Sequence, residues 1–136
     1  MGYSHYFTVT KPVPAEAWDQ ILDAVNNIVS KTDVPTVDGR GRDEDDCTTE
    51  RIIHLNGLED DGYETFFIDP DDTSFNFCKT FQRPYDIVVV AILCTIQDIC
   101  GECFDIKSDG DAADWVAGSE LATRALRRPI AIPAAI

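Results

Sequence analysis

Two cations stand four residues apart in the stretch 76-NFCKTFQRPYD-86, within a chain whose formal net charge is -14. They are Lys79 and Arg83. Thr80 lies between them, and Pro84 and Tyr85 follow at the expected start of a helix. Unsatisfied amides at such an end favour a phosphate or carboxylate, Thr80 adds a hydroxyl donor, and Arg83 adds a fork that grips an oxyanion at two points. The pattern predicts a binding site for an anion. A plainer arrangement, in which both cations pair with a neighbouring carboxylate such as Asp86, competes with it.

His5 and His54 are the only histidines, so any imidazole acid or base is one of them. His5 lies in 3-YSHYFTV-9, where Tyr3, His5, Phe7 and Val9 alternate with Ser4, Tyr6 and Thr8 as in a strand with one buried face. Tyr3, His5, Tyr6 and Tyr85 therefore join Lys79, Thr80 and Arg83 as candidate ligand contacts. No catalytic nucleophile, Gly-rich phosphate loop or metal cluster stands out, so an enzyme ranks last and neither cofactor nor metal is expected. The run Asp109-Gly110-Asp111 lacks the oxygen series of a calcium loop and reads as a turn with a helix N-cap.

Acidic residues number 25 against 11 basic. Asp far outnumbers Glu, and Lys is the rarest charged type. Such a surface stays soluble where salt screens charge, so it points to a salt-adapted, halophilic source and away from duplex nucleic acid. The five cysteines are an odd count without a visible secretory segment, and free buried thiols are expected, the Cys100-Gly-Glu-Cys103 spacing included. The longest apolar run, 87-IVVVAILCTI-96, is short of the ~20 residues that span a bilayer and reads as a buried helix.

These residues need elements to hold them. After the first strand, Trp18, Ile21, Leu22, Val25, Ile28 and Val29 recur at helical spacing over 15–30. A long polar loop is expected from 31 to 50. Strands at 51–57 and 63–69 make a hairpin, Pro84 opens a helix to Cys100, 102–108 alternates as a strand, and Asp111 caps a last helix. The order βαββαβα predicts one α+β domain over 1–136: a ferredoxin-like βαββαβ fold with a four-stranded antiparallel sheet and an added C-terminal helix. The uncharged tail, 129-PIAIPAAI-136, is expected to place Ile130, Ile132 and Ile136 on the chain's own core, on a second subunit of a homo-oligomer or on a virion partner.

The segments GYSHYF, YETF, FCKTFQRPYD and SDGDAADW, in this order, resemble a family of small uncharacterised proteins of tailed bacteriophages and prophages. Its members carry GYTHYW, ETF, FCKTxRxPYD and SDGxxxDW-like motifs. The resemblance covers most of the chain. It implies a viral or proviral origin, in the host cytoplasm or the virion, and no particular chemistry. The expected function is a viral binding module for a phosphorylated or other anionic small molecule, or for an acidic peptide. The alternative is a structural or interaction protein of the virion or its assembly, with a small hydrolase or phosphoryl-transfer enzyme third.

Overall fold

A computed structural model describes residues 2–39 and 46–136 of the chain. The fold is α+β, with three helices and two three-stranded antiparallel sheets. In the first sheet β1 (Ser4–Val9) lies between β5 (Phe77–Lys79) and β6 (Phe104–Ser108). In the second, β3 (Ile53–Gly57) lies between β2 (Thr36–Asp38) and β4 (Phe66–Ile68). The expected single four-stranded ferredoxin-like sheet is thus corrected. β2 arises within the segment expected to be loop, and β5 within the segment expected only to lead into a helix. Each is three residues long, too short to display an alternation. The charged stretch 40–45 of the expected loop lies outside the described residues.

The helices are α1 (Ala15–Lys31), α2 (Asp86–Cys100) and α3 (Ala112–Leu126). α2 is apolar on nearly every side because it is enclosed: it packs on α1, α3 and β6. Its approach to α3 is close at Gly118, where an added Cβ would meet Val90 Cγ1 at 2.3 Å. α3 begins with a reciprocal capping box, Asp111 accepting from the Asp114 amide and Asp114 from the Asp111 amide. α2 stops at Gly101, and a 3-10 turn over Gly101–Cys103 leads into β6. Cys100 and Cys103 are joined as a disulfide across this turn, which corrects the expectation of free thiols there; Cys47, Cys78 and Cys94 are free and buried.

The first sheet sorts its side chains by register. His5, Phe7 and Val9 face the core with Cys78, Ile106 and Phe104. Tyr6 faces the other way and stands between Phe77 on β5 and Lys107 on β6, while Ser4 stands beside Lys79. β1 is therefore the central strand of its sheet, and the sheet keeps one open face. The C-terminal tail folds back along α3. Ile130 is buried, its amide donates to Thr123 Oγ1 at 3.0 Å and its carbonyl accepts from Ser119 Oγ at 2.5 Å. Ile132 and Ile136 pack on the same core while staying partly exposed.

Candidate functional site

β1 delivers His5 into the core, and hydrogen-bond accounting fixes what it does there. Ser108 Oγ accepts from the Trp115 indole N–H at 3.2 Å and from the Gly110 amide at 2.9 Å. Both of its lone pairs are then used, so its own proton goes to His5 Nδ1, 2.8 Å away. The neutral imidazole consequently carries its proton on Nε2 and donates it to Asp86 Oδ1 at 2.7 Å. Thr80 Oγ1 donates to the same oxygen at 2.6 Å. Tyr3 and Trp115 flank the imidazole edge-on, with ring centroids 5.2 and 5.3 Å away. His5 and Thr80 are fully buried.

The residues singled out from sequence thus converge, but in two different roles. Thr80 and His5 are tied to Asp86, whose carboxylate occupies the start of α2 where an anion was expected. Tyr85 is buried too, its hydroxyl donating to the Glu64 carbonyl at 2.5 Å, so its ring has no face to offer a ligand. Tyr3 is half-buried. Its hydroxyl lies against Gly110 without a hydrogen-bond partner, and burial, reinforced by the Asp86 charge, pushes its pKa up to about 12. Tyr6 lies on the open face of the sheet. Its hydroxyl donates to Asp109 Oδ1 at 3.0 Å, a bond that raises its pKa, and Asp109 Oδ2 accepts from the Ser4 amide.

Lys79 and Arg83 remain at the surface, and neither makes an ion pair among the described residues. Instead both lie over the same two rings. Lys79 Nζ is 5.8 Å from the centroid of Tyr63 and 6.0 Å from that of Phe81; the Arg83 guanidinium is 5.9 and 5.6 Å away. The rings stack at 5.3 Å with an angle of 19°. A turn over 80–83 sets this up, its Arg83 amide donating to the Thr80 carbonyl. Phe81 and Gln82 both have left-handed backbone, φ 54° and 53°, a conformation costing about 1–3 kcal/mol at each non-glycine position. The Tyr3 carbonyl holds the turn by accepting from the amides of Thr80 and Phe81. From the other side the Glu64 carboxylate accepts from the Lys79 amide at 2.7 Å.

Tyr63 and Phe81 were not singled out in the sequence. Their signal was the aromatic residue within each motif, YETF and KTFQR, at positions where a turn forces the side chain outward. His54 is enclosed as His5 is: Nδ1 lies 2.5 Å from Asp38 Oδ1 and Nε2 2.6 Å from Thr49 Oγ1, with His54 and Asp38 fully buried. Among the described residues no group of three or more His, Cys, Asp or Glu is suited to a metal ion, and no helix is long and apolar enough to cross a membrane. Compared with protein-family models, with curated proteins and with solved structures, the chain matches none.

Proposed function

We propose that this chain is a binding module for a phosphorylated or other anionic ligand, held at Lys79 and Arg83. One observation carries the reading. In a chain of net charge -14, these two cations have no carboxylate partner among the described residues and share one aromatic pair. Cations over ring faces are restrained in position yet keep donors free for an incoming oxyanion. Thr80, Tyr85 and His5 act behind them as positioning residues, since their polar atoms are already committed to Asp86, Glu64 and Ser108. The setting is a viral one, host cytoplasm or virion, in a salt-adapted source; the motif resemblance and the Asp-rich surface support it.

Calorimetry of the full chain against inorganic phosphate, pyrophosphate and adenosine monophosphate tests the site. Saturable binding is expected with at least one of them, weakened tenfold or more by Arg83→Ala while the melting temperature stays within a few degrees. Absence of saturable binding, or equal binding by the variant, would overturn the reading.

A further inference from the structure

The open face of the first sheet carries a second set of rings that anion binding alone does not use. Phe77, Tyr6 and Lys107 form one cross-strand row, as the register shows, and Lys79 stands beside Ser4 in the next. Phe75 stacks on Tyr6 at 6.0 Å and 28°, and lies 5.8 Å from Phe77. Phe75 is 68 % exposed and Phe77 49 %. Apolar rings left this open on a sheet signify a contact surface. The Tyr6 ring is held ready, because Asp109 binds its hydroxyl through one oxygen and the β1 backbone through the other.

We infer that the ligand class is single-stranded nucleic acid, with unpaired bases stacking on Tyr6, Phe75 and Phe77 and the phosphate backbone running to Lys79 and Arg83. The inference rests on the anion site proposed above and extends it. Rings interleaved with cations on an open sheet are the pattern by which single strands are held: every base has a face to stack, and the cations track the backbone. Lys107 pairs with Asp105 at 3.7 Å, so Lys79 and the neighbouring Arg83 are the cations that favour a polyanion over a basic protein, which would meet them head on. A duplex keeps its bases inside the stack and gains nothing from the rings, while it meets the full repulsion of the acidic surface.

That surface also gives the interaction a signature. Ordinary nucleic-acid binders lose affinity steeply as salt rises. Here added salt weakens the pull of Lys79 and Arg83 but also screens the repulsion from the rest of the chain, while stacking persists, so affinity is expected to fall less steeply than for an ordinary binder between roughly 50 and 300 mM KCl.

Fluorescence anisotropy of the full chain decides it, using labelled dT12 and U12, an abasic 12-mer and a 12-base-pair duplex. Expected is saturable binding of dT12 or U12, with the abasic strand and the duplex at least tenfold weaker. The Phe75→Ala/Phe77→Ala variant should lose at least tenfold with unchanged circular dichroism. Equal binding of the abasic strand, or unaltered binding by that variant, would overturn the inference. Should adenosine monophosphate bind in an Arg83-dependent way while dT12 and U12 do not, the anion site stands and the single-strand inference falls. If no phosphate probe binds, both fall. If nona-arginine binds through Phe75 and Phe77 and the oligonucleotides do not, the face belongs to a basic protein partner and the inference is overturned.

Discussion

His5 Nε2 lies 2.7 Å from Asp86 Oδ1, so the first strand is tied to the first residue of α2, 81 positions later, by a single polar contact. The same oxygen accepts from Thr80. Removing it strands two buried donors, and each such loss costs about 1–3 kcal/mol. Asp86→Ala is therefore expected to destabilise the fold by about 2–6 kcal/mol, the sum for two stranded donors. Asp86→Asn keeps an acceptor oxygen and should cost clearly less. Urea denaturation of both variants checks this; equal losses would mean that the carboxylate's charge matters and its role as acceptor does not.

Alkaline pH is expected to unfold the chain early. Burial pushes the thiols of Cys78 and Cys94 up to about 12 from 9.0, and the Tyr3 phenol up to about 12 from 10.0; Tyr85 moves in the same direction for the same reason. These groups stay protonated in the folded chain while the unfolded chain releases protons, so stability falls as pH rises. The contribution is complete below pH 9 and is lost between about 9 and 12. Melting temperature measured from pH 8 to 11.5 should decline from about 9 and steepen past 10. Cys94→Ala should make the first part of the decline shallower.

Gly118 sets two opposing effects against each other. Alanine there would improve helix propensity by about 1 kcal/mol. Yet its Cβ would fall 2.3 Å from Val90 Cγ1 and 3.0 Å from the Ala91 amide nitrogen, and overpacking of this kind costs about 1–3 kcal/mol. The clash should win, so Gly118→Ala is expected to lower stability. Adding Val90→Ala should recover part of the loss, a coupling that a double-mutant cycle measures.

The tail yields the fourth expectation. Ile130 is enclosed by its own domain, and truncating a buried isoleucine costs about 2–5 kcal/mol. Ile130→Ala should lower the melting temperature without altering the mass seen by light scattering. A change of mass would place the tail between subunits.

What was legible in the sequence follows from length. α1 repeats its pattern over 17 residues and β1 alternates over six, so each announces its period and its buried face, while α3 announces its start through the Asp111 cap. β2 and β5, at three residues, have no period to read, and their strand character comes from partners far along the chain. The division into two sheets was hidden for that reason. At the site, Lys79 and Arg83, singled out by their spacing, come together over Tyr63 and Phe81. Thr80 and Tyr85 looked equally available because nothing local shows that Asp86 and Glu64 claim their hydroxyls. Asp86 itself looked like a partner for the cations and is instead the acceptor for His5.

The central position of β1 bears on how the chain is made. Residues 4–9 leave the ribosome well before their partners, residues 77–79 and 104–108. At 5–20 residues per second, roughly 5–20 s separate the synthesis of β1 from that of β6. α1 can coil during that interval because its hydrogen bonds are local, whereas the strand carrying His5, Tyr6 and Phe7 waits with both edges unpaired. The first sheet therefore closes only after residues 104–108 have been made, and a chain truncated before residue 104 lacks one side of its central strand.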